Sequence, residues 1–111
     1  MTAHDSQMLK GLVTFLLLDL VADAPDYGYS LVVRLHEGGF TDLAEGTVYP
    51  ALARCEQAGW VEAYLVPSGK GPARKYYRLT NAGAAERAHA RDNWNHLSGL
   101  VAGLLSKGNA S

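Results

Sequence analysis

The sequence predicts an α+β fold, mostly α: a winged helix-turn-helix of three helices and a two-stranded β wing, followed by a long C-terminal helix. Three observations carry this. Apolar residues recur at helical spacing in three successive segments ahead of Gly59. The periodicity then switches to strand alternation in "WVEAYLV" and again in "RKYYRL", with a turn-rich stretch between them. After Thr80 no proline interrupts the chain, so one helix is free to run almost to its end.

The chain has 111 residues, a single-domain length. An apolar content of 48% with 19% charged residues is that of a chain able to build a core, which argues against disorder. The single cysteine, Cys55, excludes an intramolecular disulfide framework and fits a reducing compartment. No basic segment and no cleavage motif flank the apolar stretch near the start, so no export leader is expected and the cytoplasm is the expected location. Asp19 and Asp23 cut that stretch, "GLVTFLLLDL", short of the ~20 residues that span a bilayer, so no membrane partner is expected.

The net charge of −1 conceals an asymmetry. Residues 1–53 carry two basic residues against seven acids, whereas residues 54–78 carry five basic residues against two acids. One short segment is therefore basic in an otherwise acidic chain, a local sign of an anionic partner.

Taken in order, the first helix is expected over Ser6–Ala22, with Met8, Leu9, Leu12, Val13, Phe15, Leu16, Leu17, Leu18, Leu20 and Val21 apolar nearly all the way round. Such a helix needs cover on every side, and a second subunit is expected to supply part of it. Pro25 ends that segment and Asp26 is expected to cap a second helix over Tyr27–Glu37, which stops at Gly38–Gly39. The third helix lies in "EGTVYPALARCEQAGW". Val48, Ala51, Leu52 and Cys55 form its apolar stripe, and Pro50 requires it to start close to Glu45 or Gly46. Ala44 is a poor cap for it. The tip of the hairpin is read as "PSGKGPA", and Thr80 is expected to cap the last helix. The expected division is residues 1–79 as the winged unit, 80–107 as a dimerisation helix and 108–111 as a flexible tail.

The outer side of the third helix shows Thr47, Tyr49, Pro50, Ala53, Arg54 and Gln57, compact or hydrogen-bonding groups with little charge. In a winged helix-turn-helix the third helix enters the DNA major groove and the hairpin tracks the backbone. Thr47 and Tyr49 suit phosphate contacts near a helix N-terminus. Pro50 and Ala53 permit deep seating, and Arg54 and Gln57 are donors to bases or phosphates. Lys70, Arg74 and Lys75 are the expected wing contacts, whereas Tyr77 and Leu79 are expected on the inner side of the hairpin. His4, His36, His89 and His96 have no metal-ligand spacing, Cys55 lies on an apolar face, and no nucleophile–base pair is visible, so neither a metal, a cofactor nor catalysis is expected.

The segments "LKGLVTFLLLDL", "YGYSLVVRL", "GTVYPALARCEQAGWVE" and "RKYYRLTNAG" resemble the PadR family of transcriptional regulators over about Leu9 to Leu104. Tyr27, Ala44, Cys55 and Trp60 depart from its usual residues. The resemblance implies a homodimeric repressor on double-stranded DNA with an inverted-repeat operator, released by a small planar aromatic or phenolic effector. The single C-terminal helix is similar to that of the multidrug-sensing subgroup. Trp94, Leu97, Val101 and Leu104, spaced 3, 4, 3, are with Leu12 the expected dimer face. Trp94, with Leu9, Val13, Phe15 or Leu16 as the opposite wall, is the expected effector site. The competing readings are a winged protein-interaction module and a ligand-binding module, neither with a specific operator.

Overall fold

The computed structural model describes the backbone of residues 3–110 and the side chains of Leu9 and residues 11–107. Readings that concern the side chains of His4 and Met8, or residue Ser111, lie outside these. Helix α1 (Ala3–Asp23) is apolar on nearly every side because it runs through the middle of the protomer. It packs against α2 (Gly28–Glu37), α3 (Glu45–Gln57), strand β3 (Gly71–Leu79) and α4 (Asn81–Ala110). The consecutive residues Leu17 and Leu18 are both fully buried, which requires cover on two sides of the same helix turn. Most of the expected second-subunit cover for α1 is thus supplied within one chain.

Helices α2 and α3 end alike. Beyond α3, the Gly59 N–H donates to the Glu56 carbonyl and the Trp60 N–H to the Cys55 carbonyl, with Gly59 at φ 79°. The pair of bonds requires a left-handed residue at that point, which glycine adopts without steric cost. The same pattern closes α2 at Gly39. The buried stripe of α3 is Val48, Ala51, Leu52 and Cys55, as the periodicity predicts.

The sheet has three antiparallel strands in the order β1-β3-β2, where β1 is Asp26–Tyr27 and β2 is Val61–Ser68. A two-residue strand is too short for alternation to be seen, so β1 was not legible. It also moves Asp26 out of its expected capping position. The N-cap of α2 is Tyr27, without a side-chain cap bond. Asp26 instead accepts hydrogen bonds from the Tyr27 N–H, the Ser30 hydroxyl and Arg34, at 2.9, 2.6 and 3.2 Å. Arg34 donates also to the Leu20 carbonyl at 3.0 Å, which ties α2 to the end of α1. The wing is longer than the turn-rich composition implies: Ser68 pairs with Gly71, so only Gly69 and Lys70 form the tip.

Thr80 caps α4 as expected, its hydroxyl accepting from the Gly83 N–H at 3.0 Å and donating to the Gly59 carbonyl at 2.6 Å. Asp19 of α1 holds α4 a turn further on, pairing with Arg87 at 2.8 Å and Arg91 at 2.9 Å. Beyond these contacts α4 projects away from the winged unit, and the molecule is 63 Å long. Helical backbone continues through residues 108–110, where no proline breaks the hydrogen-bond ladder. Among the described residues no helix is long and apolar enough to cross a membrane.

Candidate nucleic-acid interface

Burying one stripe of α3 necessarily turns the other outward. Tyr49, Pro50, Ala53, Arg54 and Gln57 are exposed there, with Thr47 half-buried at the margin. The first turn has no side-chain cap: Ala44 is the N-cap, and only its carbonyl is used, by the N–H groups of Thr47 and Val48 at 3.0 Å. An uncapped helix start keeps amide donors available to an anion. Pro50 is the sixth residue of α3 and cannot donate to the Gly46 carbonyl, so one interior bond of the helix is missing. Gly46, Thr47, Pro50 and Arg54 line, with Val13 beneath, a shallow depression of about 250 Å³.

Tyr49 differs from a free contact residue. Its ring lies over Gly28, so close that a side chain at Gly28 would collide with it. The ring therefore takes part in the α2–α3 packing, although the residue as a whole is 42% exposed. Burial, and then the Glu45 carboxylate, raise the Tyr49 pKa, so the hydroxyl stays a donor. Cys55 sits wholly inside the same helix, where burial pushes its thiol up to about 11, as befits an inert thiol.

Strand alternation divides the basic residues of the wing. Leu65 pairs with Lys75 and Ala63 with Tyr77, on the face turned toward α3. Val66 pairs with Arg74, Tyr64 with Tyr76 and Glu62 with Arg78, on the outer face. Arg74 and Lys75, both expected as wing contacts, thus point to opposite sides of the sheet. Lys75 reaches the Glu56 carboxylate of α3 at 3.1 Å, with its ammonium 5.5 Å from the Tyr77 ring centre. That hydrogen bond is the main cause of its raised pKa. On the outer face Arg74 stacks on Tyr27 at 4.6 Å, and Tyr27, Tyr76 and Tyr64 follow one another at 5.3 and 5.9 Å. Arg78 closes the row over Tyr64 and is paired with Glu62. Tyr27 and Tyr64 were missed as supports, because contacts that cross from β1 and β2 to β3 leave no local signal. Arg54, Lys70 and Arg74 make no ion pair among the described residues.

A second feature lies between α1 and α4. Gly11, Leu12, Phe15, Ala90, Asn93, Trp94 and Leu97 line a groove of about 380 Å³. Trp94 and Phe15 meet there as expected, joined by Leu12. Leu9 and Val13, 8% and 1% exposed, instead lie in the core, and Leu16 packs against it. They are corrected from the wall of this groove, because they occupy the α1 stripe turned toward the core. Further along α4, Leu97, Val101 and Leu104 are 47%, 54% and 73% exposed, with Leu100 and Leu105 similarly uncovered. Among the described residues no cluster of three or more His, Cys, Asp or Glu side chains is placed to hold a metal.

Residues 17–89 match the family model described as the transcriptional regulator PadR-like family. The chain is 38% identical to a solved transcriptional regulator from Streptococcus, with a TM-score of 0.79 over 88% of this chain and 96% of that one. A PadR-like transcriptional regulator from Bacillus cereus is 36% identical, with a TM-score of 0.81, covering 89% and 96%. A PadR family regulator from Eggerthella lenta is 30% identical, with a TM-score of 0.82, covering 93% and 90%. With its winged helix and exposed α3 face, the chain belongs to the PadR-like family of transcriptional regulators, DNA-binding proteins rather than enzymes.

Proposed function

We propose that this regulator is a dimeric cytoplasmic repressor that binds an inverted-repeat operator and is released from it by a planar aromatic or phenolic effector. The winged unit, residues 1–79, makes the DNA contacts, and residues 80–107 make the dimer. The observation that carries the reading is the exposed face of α3, compact at Pro50 and Ala53 with Arg54 as its one cation, together with the exposed Lys70 and Arg74 of the wing, none of the three in an ion pair among the described residues. Such a face suits close approach to base edges, while the wing cations suit phosphates. Thr47, the Tyr49 hydroxyl, Gln57 and, after release from Glu56, Lys75 complete the contact set. A two-fold dimer places two such helices on half-sites about one helical turn apart.

Salt titration of the promoter fragment upstream of the protein's own gene tests this. Affinity is expected to fall steeply with salt, and scrambled DNA to bind far more weakly. Arg74→Ala is expected to weaken binding to every duplex and reduce the salt slope by about one. Equal affinity for scrambled DNA would remove the specific operator, and a shallow or absent salt dependence would favour the interaction-module reading instead.

The effector is assigned to the α1–α4 groove. It is apolar with one amide, Asn93, at its edge, the composition of a small-molecule site. A two-fold axis past α4 would bring the two Trp94 rings together, and a flat aromatic between them gains roughly 0.5–1.5 kcal/mol per ring beyond the area it buries. In a Trp60→Phe background, Trp94 fluorescence is expected to be quenched by planar aromatic cations or phenolic acids. An absence of quenching by either class, with weaker dimerisation of Trp94→Ala, reduces Trp94 to interface packing.

A further inference from the structure

We propose that Glu56 acts as an internal substitute for a DNA phosphate, holding Lys75 until the recognition helix is seated and so setting the discrimination between operator and bulk DNA. The inference rests on the DNA-binding reading of α3 and the wing. Glu56 lies at the edge of α3 nearest the wing, one residue from Gln57 and two from Arg54. An acid so placed faces a polyanion, which by itself opposes binding. Its bond to Lys75 does little for the fold, since the two side chains are 40% and 51% exposed and pairs of that kind contribute ~0–1 kcal/mol.

The geometry accounts for the pair in another way. Strand register directs Lys75 toward α3 and away from the outer face that carries Arg74. While Glu56 holds it, the two charges cancel, and Lys75 offers nothing to a duplex bound only through its phosphates. Bulk DNA is bound by that term alone. When α3 sits fully in the groove, a phosphate brought up to the α3–wing cleft can replace the carboxylate as the partner of Lys75. The exchange then belongs to the operator complex and not to the loose one.

The test uses the full-length protein, a random-sequence duplex, and the genomic fragment that wild-type protein selects most strongly, each titrated over a range of salt. For Glu56→Gln, the random duplex is expected to bind with a salt slope steeper by about 0.9, which at 0.1 M salt is roughly an eightfold gain. Operator affinity is expected to rise less with its slope unchanged, so the specificity ratio falls. In a Lys75→Ala background the same substitution is expected to have no effect on either slope. Unchanged binding to the random duplex, an equal gain on both DNAs, or a Glu56→Gln change of salt slope that survives Lys75→Ala would each overturn the proposal. If wild-type protein showed no salt-dependent binding to either duplex, the DNA-binding reading would fail first and this inference with it.

Discussion

Leu97→Asp combined with Val101→Asp is expected to yield a folded monomer with no tight operator binding. Both residues are about half exposed on α4, Leu97 at the rim of the α1–α4 groove and Val101 beyond it. Together with Leu100, Leu104 and Leu105 they form an apolar stripe that its own protomer leaves largely uncovered, Leu97 at its inner end bordering the α1–α4 groove. An isologous interface places each substitution twice, so four carboxylates would enter one apolar contact. Even partly relieved, a buried unpaired carboxylate costs several kcal/mol, enough to outweigh a dimer of ordinary affinity. The fold itself should survive, because the core of Leu17, Leu18, Leu31, Leu43 and Leu52 lies elsewhere. Light scattering at micromolar concentration reads the oligomeric state, and operator titration reads the consequence, since loss of one half-site removes the gain from linked binding. A variant that remains dimeric, or wild-type protein that is monomeric, would move the interface off α4.

Gly83→Ala is expected to destabilise the protein by about 3 kcal/mol or more, against the direction of helix propensity, which favours Ala over Gly by ~1 kcal/mol. A Cβ at Gly83 would collide with the Trp60 carbonyl oxygen and lie 2.8 Å from a methyl of Leu79. The first of these is backbone, held in place by the Thr80 N–H at 3.1 Å, and cannot swing aside. Relief requires α4 to lift from the α3–β2 corner, which also strains the Asp19 pairs with Arg87 and Arg91. Denaturant unfolding checks the magnitude. Gly46→Ala is the control, because a Cβ there meets open space, and it should share none of the loss. Equal stabilities for the two variants would show that α4 docks more loosely than this.

The two expectations differ in how visible they were beforehand. The stripe of Trp94, Leu97, Val101 and Leu104 is a local period, readable because helical spacing repeats every few residues. The same holds for the buried stripe of α3, for its outward face and for the switch to strand alternation after Gly59. Turn and cap chemistry is also local, so Thr80 and the glycines after α2 and α3 declared their roles. Gly83 did not. Its reason is a carbonyl 23 residues earlier in the chain, and no short-range pattern encodes that approach.

The sequence by itself determined the order of the four helices and the two wing strands, the buried stripe of α3, its outward face and a basic wing, because each follows from periodicity and local charge. Tertiary structure alone decided which α1 residues are core and which line the groove with Trp94, since a helix apolar on every side carries no mark of its neighbours. It also decided that Arg74 and Lys75 part company, one stacked on Tyr27 and the other held by Glu56. Adjacent residues on a strand must face opposite ways, but which way is set by the register of β3 between β1 and β2, and register is a property of the assembled sheet.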